Sequence, residues 1–278
     1  MTRANLGQPA DPAQRDRLAA RLRAAGCVFA EREAALIEAS FADPTEREDA
    51  VVRRCEGEPL EYVVGVAEFA GVTVEIGPPA FIPRARAADL VSAVDRALPR
   101  QPPGQSPQGG RVVALDLGCG CGAIAAALRQ RHPDWDVHAS DIDPAALLYA
   151  HCNAAAFGFS VHEGDWFDAL PVDLVGRLDV IVAHLPYVPS SEVAHLPRDF
   201  RDAEPRATVD GGRDGLDPWR RVVTLCRQWL AANGILLTQV SRAQIDAAAA
   251  IARDSSLDVE TIDLEDSAVL VVHVGRVG

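Results

Sequence analysis

Asp116 is followed at two-residue steps by Gly118, Gly120 and Gly122 in the run VVALDLGCGCGAIAAAL. Glycines so spaced let the chain turn tightly and let a ligand approach the start of the next helix. The next strand ends at Asp141, where a carboxylate can accept both hydroxyls of a ribose. Gly118, Gly120 and Ala123 also satisfy the looser pattern of dinucleotide loops, and a purely structural turn is a third option. Three features favour S-adenosylmethionine. Asp116 stands where it can face a cationic methionine end, the glycines alternate, and the third strand runs into GDWFDAL. In that segment Asp165 is placed to hold an adenine amine and Trp166 to pack beside it. The expected cofactor set is Asp116, Gly118, Gly120, Gly122, Asp141, Ile142, Asp165 and Trp166. Cys119 and Cys121 read as small spacers in the loop.

A second constellation is DVIVAHLPYVP, a buried strand that stops at His184 and enters a Pro-Tyr turn. His184, Pro186 and Tyr187 are the expected catalytic-site residues. Histidine can exchange a proton near neutral pH, and Tyr187 offers an aromatic wall. The bland alternative is that His184 only ends the strand while Leu185 fills a pocket. Tyr62 and Phe69 either line an acceptor pocket or pack the hairpin that carries them. Arg84 contacts the cofactor carboxylate or pairs with Glu204, two readings the sequence leaves equal.

These residues need elements to hold them. Helical periodicity is expected from Pro12 to Glu56, with helices over Glu31–Phe41 and Pro44–Cys55. Two β-prone runs, near Val63–Phe69 and Val72–Ile76, flank Ala70-Gly71 and read as a hairpin. Ala85–Leu98 reads as a helix. Pro99–Gly110 is rich in Pro, Gly, Gln and Ser and is expected to be a mobile linker that buries little. Strands and helices alternate beyond it, with strands at Arg111–Leu115, Val137–Ser140, Ser160–His162, Val180–Ala183 and Gly234–Val240. Helices are expected at Ala123–Arg131, Pro144–Phe157, Pro218–Ala231 and Ala243–Asp254. Two closing strands, Val259–Asp263 and Ala268–Val274, leave no room for a crossover helix, so the last should run antiparallel. Repeated βα units imply an α/β fold with a mostly parallel sheet covered on both faces. The expected division is 1–98, a linker at 99–110, and 111–278 for the cofactor domain.

The chain has 278 residues and a net charge of −13, and all 27 basic residues are arginine. With no lysine there is no Schiff-base or lysine-base chemistry. The acidic balance argues against nucleic acid as a main partner. No apolar run is long enough for a membrane span and the N-terminus has no signal-peptide pattern, so a cytoplasmic protein is expected. The six cysteines form no C-x-x-C pair and the histidines show no metal spacing, so no metal is expected. Oligomeric state is left open.

The order of segments resembles the HemK-type methyltransferases, which methylate the glutamine side-chain amide of peptide chain release factors. The resemblance is carried by GEPLEYVVGVAEFAG, FIPR, DLGCGCGAIA, SDIDPAAL, EGDWFDAL and EPRATVDGGRDGLDPWRRV, from about Leu22 onward. It implies a helical and hairpin substrate-recognition domain before a seven-stranded Rossmann-like methyltransferase domain. It also implies a methyl acceptor held at the end of the fourth strand of that domain. There the family carries Asn-Pro-Pro-Tyr, whose Asn side chain and next carbonyl accept hydrogen bonds from a planar amide while the ring stacks on it. This chain has His184, Leu185, Pro186 and Tyr187. Where the family has Pro-Glu-Thr-Glu after the arginine, this chain has Ala85, Arg86, Ala87 and Ala88. The departures point to a redirected enzyme, with His184 as general base toward a small-molecule N–H or electron-rich heteroaromatic acceptor. The alternatives are the family's own protein-glutamine methylation and a non-catalytic S-adenosylmethionine binder.

Overall fold

The computed structural model describes residues 12–98, 106, 110–196 and 204–274. Three helices open it: α1 (Pro12–Ala24), α2 (Ala30–Ser40) and α3 (Pro44–Cys55). Asp43 starts α3, its Oδ1 accepting from the amides of Thr45 (2.7 Å) and Glu46 (3.2 Å), with Pro44 at the first helical position. Leu18, Leu22, Ala34, Ile37 and Val51 meet Val63 in an apolar cluster of their own.

The hairpin is shorter than its sequence suggests. Leu60–Val64 forms a helical turn, α4, after Pro59, and Gly65 ends it at φ 76°. Only then do β1 (Val66–Phe69) and β2 (Val72–Glu75) pair antiparallel. Ala85–Ala87 is a 3-10 turn that leads into α5 (Ala88–Ala97).

Seven further strands form one sheet: β3 (Val113–Leu117), β4 (Asp136–Asp141), β5 (Ser160–Glu163), β6 (Leu178–Ala183), β7 (Leu230–Ser241), β8 (Leu257–Asp263) and β9 (Ser267–Val274). Their spatial order is β5, β4, β3, β6, β7, β9, β8. The first five are parallel, and β9 runs antiparallel to both its neighbours, as the lack of a crossover helix requires. β7 begins at Leu230, earlier than expected. Gly234 allows this, since a Cβ there would lie 2.5 Å from the Leu178 carbonyl.

Helices cover both faces. On one, α6 (Ala123–Arg131), α7 (Pro144–Phe157), α5 and the hairpin pack against Ala114, Val137, Ala139, Val180 and Leu237. On the other, α8 (Asp217–Trp229) and α9 (Ile245–Asp254) pack against Leu115, Ile181, Leu236 and Leu270. Trp219 is fully buried and donates its Nε1 hydrogen to the Ala248 carbonyl at 2.9 Å, so its polar end is satisfied. None of the helices described is long and apolar enough to cross a membrane.

Most of the stretch expected to be a mobile linker lies outside the described residues. Ser106, inside it, is buried and donates to Asp179 Oδ1 at 2.7 Å. Asp179 is itself buried, and its Oδ2 accepts from the Val113 amide at 2.9 Å. A buried carboxylate needs donors on both oxygens, which fixes Ser106 against the expectation of little burial.

Asn153 of α7 ties the hairpin to the glycine loop. It is 2% exposed, accepts from the Glu75 amide (2.8 Å), and donates to the carbonyls of Glu75 (2.9 Å) and Cys121 (2.8 Å). Asn153→Ala would strand three backbone groups, that of Cys121 buried and the two of Glu75 partly so. It should cost about 2–4 kcal/mol, read as a lowered thermal or denaturant midpoint. An effect below about 0.5 kcal/mol would mean that this tie does not hold the hairpin.

Candidate functional site

The sheet order reverses at β3, with β4 on one side and β6 on the other. In open α/β sheets the crevice beyond the carboxyl ends of such strands is where ligands bind. Here that crevice is a cleft of about 540 Å³, lined at one end by Asp116, Gly118, Gly120, Asp141, Ile142, Asp165 and Trp166. At the other end stand Phe81, Arg84, His184, Leu185, Pro186 and Tyr187. Residues from five separate sequence segments thus share one cavity.

Gly118, Gly120 and Gly122 take φ of 75°, 54° and 78°, a region that disfavours any Cβ. The loop is strapped to β4, since the amides of Gly118 and Cys119 both donate to the Ser140 carbonyl (2.8 and 2.9 Å). Gly120 donates to Asp141 Oδ2 at 2.7 Å, and Asp143 to Asp141 Oδ1 at 2.9 Å. A Cβ on Gly120 would enter open space, so the cavity wall there is bare backbone. Gly122 differs from its neighbours. It does not line the cleft, and a Cβ on it would press on the Phe159 ring at 2.9 Å. Its place is the packing of α6 against α7.

Asp116 is 1% exposed. Its Oδ2 accepts from the Ala125 amide at 3.0 Å, while Oδ1 has no hydrogen-bond partner. Burial pushes this carboxyl up to about 7, the Ala125 hydrogen bond opposes the rise, and the charge of Asp141 adds to it. A cationic ammonium at the open oxygen would satisfy both the hydrogen bond and the charge. Ile142 leaves an apolar side chain 65% exposed beside Asp141, a surface that an adenine ring would cover. Trp166, at φ 51°, packs over the glycine loop, 3.7 Å from where a Gly118 Cβ would stand. The donor set and shape fit S-adenosylmethionine. Asp165 is already engaged, its carboxylate paired with Arg221, so its access to an adenine amine is shared. Ser140 was not anticipated. Its hydroxyl is buried without a hydrogen-bond partner and lines the same cleft. In the sequence it is one of several polar residues in the strand DVHASD, so nothing singles it out.

At the other end, His184 stands between two aromatic rings. Its centroid is 5.9 Å from Phe81 and 6.1 Å from Tyr187, both steeply inclined to it. Neither imidazole nitrogen has a hydrogen-bond partner among the described residues. Burial, then the positive charge of Arg84, pulls its pKa down to about 4. The ring is therefore neutral at neutral pH and a weak base. Of the two partners considered for Arg84, the guanidinium meets Glu204 at 2.5 Å. Glu204 Oε1 also accepts from the Ile82 amide at 2.9 Å. Phe69 lines the cleft, whereas Tyr62 does not and donates its hydroxyl to the Ala80 carbonyl at 2.6 Å. The buried thiols of Cys119 and Cys121 are both pushed up, which suits the spacer reading. No cluster of metal-ligating side chains occurs among the described residues.

The turn after β6 is held from behind. Val188 donates to the Val209 carbonyl (3.0 Å), Gly211 donates to Val188 (2.8 Å), and Gln244 Nε2 donates to the Tyr187 carbonyl (2.8 Å). Gly215 sits at φ 77°, and a Cβ there would fall 2.2 Å from the Tyr187 carbonyl. Gly215→Ala should therefore cost at least about 2 kcal/mol of stability and displace Tyr187. Thermal unfolding together with turnover checks this. An alanine variant as stable and active as the parent would remove the turn from the site's support.

A family profile described as a methyltransferase domain matches residues 114–203. The chain is 35% identical over 198 residues to a release factor glutamine methyltransferase of Geobacter sulfurreducens, covering 70% of this chain and 65% of that protein. It is 38% identical over 190 residues to one from Mycolicibacterium smegmatis, covering 67% and 63%. A third, from Koribacter versatilis, is 35% identical over 208 residues, covering 74% and 71%. The chain thus spans just under two thirds of the first two relatives. Among solved structures, a methyltransferase from Pyrococcus furiosus superposes with a TM-score of 0.54 at 15% identity, covering 74% of this chain and 90% of that one. A 16S rRNA N2 G1207 methyltransferase from T. thermophilus, in complex with AdoMet and guanosine, gives 0.53 at 17%, covering 75% and 49%. At such identities these two bear on the fold alone, and the fold is the seven-stranded methyltransferase sheet expected from the sequence.

Proposed function

The chain belongs to the release factor glutamine methyltransferase family, and on that premise we propose that it moves a methyl group from S-adenosylmethionine to a glutamine side-chain amide of a release factor. The observation that carries this reading is His184. It is an uncharged ring without a polar partner, at the strand end where the cofactor cleft meets an aromatic wall.

S-adenosylmethionine supplies a methyl group on a sulfonium. Asp116 would hold its ammonium and Asp141 its ribose, in the same cleft that the β6 end lines. An amide nitrogen is a weak nucleophile because its lone pair is delocalised, so the protein's task is alignment and dehydration. The neutral His184 ring offers one acceptor nitrogen to an amide N–H. Leu185 lines the same cleft, and its backbone carbonyl, which accepts from no described residue, would offer a second. Tyr187 supplies the flat wall. With the cofactor bound, the methyl group would pass to the amide nitrogen, the C–S electron pair would leave with sulfur, and the displaced amide proton would pass to solvent.

A second reading, a redirected small-molecule acceptor with His184 as general base, draws on two features. Histidine stands where asparagine is expected, and alanines replace the polar groups after Arg84. Its weakness is basicity, since a ring at about 4 holds a proton poorly at pH 7. The two readings separate in a cytosolic extract given methyl-labelled S-adenosylmethionine and the enzyme. Label in the protein fraction is expected. Label confined to small molecules would favour the second reading.

A further inference from the structure

A histidine that accepts a hydrogen bond must present one nitrogen in one direction. Asparagine and histidine side chains in active sites are commonly oriented by a hydrogen bond on their far side. His184 has none among the described residues, so only packing sets its ring. Two rings do the packing, Phe81 at 5.9 Å and 58° and Tyr187 at 6.1 Å and 62°. These separations and inclinations are those of edge-to-face aromatic contacts.

Phe81 is in turn anchored. The Arg84 guanidinium lies 4.9 Å over its ring, Arg84 pairs with Glu204, and Glu204 binds the amide of Ile82. The buried Glu204 thus closes a short clamp around residues 81–84, at the mouth of the cleft that His184 lines. Nothing about position 81 beyond its membership of the FIPR run marks it in the sequence.

We propose that Phe81 is a positioning residue for methyl transfer, fixing the His184 ring so that its acceptor nitrogen meets the substrate amide and keeping water off that ring. This rests on the glutamine-amide reading of the site. It predicts that Phe81 acts on turnover through His184 and leaves the cofactor end alone.

The test combines kinetics with histidine NMR on the full chain. Phe81→Ala should lower kcat for unmethylated release factor at least ten-fold while S-adenosylmethionine affinity stays within two-fold. Phe81→Tyr, which keeps the ring, should recover most of the rate. In a His184→Ala background, Phe81→Ala should cost little more. Equal losses in both backgrounds would overturn the proposal. So would a Phe81→Tyr variant as slow as Phe81→Ala. The NMR arm needs no turnover. The His184 resonance, identified by its loss in His184→Asn, should titrate near 4 in the parent and move toward 6.5 in Phe81→Ala. An unmoved titration would overturn the proposal even if the acceptor were confirmed. If the parent does not methylate the release factor at all, the functional reading fails separately, and the titration still decides whether Phe81 governs the ring.

Discussion

Asp116→Asn is expected to stabilise the cofactor-free protein while weakening S-adenosylmethionine binding about a hundredfold. Burial raises the Asp116 carboxyl to about 7, above the value near 3.9 of an unfolded chain. The folded state therefore keeps a proton that the unfolded state has released, so stability falls as pH rises from about 4 to about 7. Above that window the buried charge costs on the order of 2–4 kcal/mol, which an uncharged amide removes. Asparagine can still accept from the Ala125 amide, so the local hydrogen bond survives. What it cannot supply is the charge opposite an ammonium, worth about 2–3 kcal/mol in a dry site. Thermal unfolding without ligand at pH 8 should rise, and calorimetric affinity for S-adenosylmethionine should drop. The same titration makes cofactor affinity in the parent improve as pH rises through 7, a slope the variant should lose. Unchanged affinity in Asp116→Asn would take this residue out of the cofactor site.

The second large effect concerns His184. His184→Ala should lower kcat about ten- to hundred-fold, the cost of an unmatched polar partner in a dry site, with cofactor affinity unchanged. His184→Asn should recover activity, because an amide oxygen can take the same N–H. At saturating cofactor, kcat should vary by no more than about two-fold between pH 6 and 9, since a ring with pKa about 4 stays neutral across that range. A general base would instead give a rate that climbs with pH through its own pKa. Such a climb near 6–7, lost in His184→Asn, would restore the general-base reading.

The fold was legible in the sequence wherever the signals were local. The bounds of α6 and α7 follow from a glycine loop, from Pro144 at the first helical position and from Gly158 at the stop, and each element lies where the spacing puts it. The antiparallel β9 follows from a connection too short for a helix. What was not legible depends on contacts distant in sequence. Leu60–Val64 has β-branched residues that favour a strand, yet Pro59 and Gly65 cap it as a turn of helix packed on the N-terminal cluster. Ser106 looked like linker until Asp179, distant in sequence, required its hydroxyl.

The site divides in the same way. The glycine loop, Asp141 and the His184 turn announce themselves by type and spacing. Gly122 shares that spacing, but its contacts with Phe159 and Ala150 belong to helix packing. The low basicity of His184 was hidden, because burial between two rings and the nearby charge of Arg84 arise only in the folded chain. An unperturbed histidine suggests a base, whereas this one, with its pKa pulled down, is a weak base that still offers an acceptor nitrogen. Phe81 was marked only by its place in the FIPR run, and Ser140 not at all.

The most direct measurement is to incubate the purified protein with S-adenosylmethionine and recombinant unmethylated release factor, then locate any added methyl group by peptide mass spectrometry. The expected result is one methyl group on a glutamine side-chain amide, formed more slowly by His184→Ala and at a recovered rate by His184→Asn. A release factor that stays unmodified would contradict the glutamine-amide reading and the role given to His184.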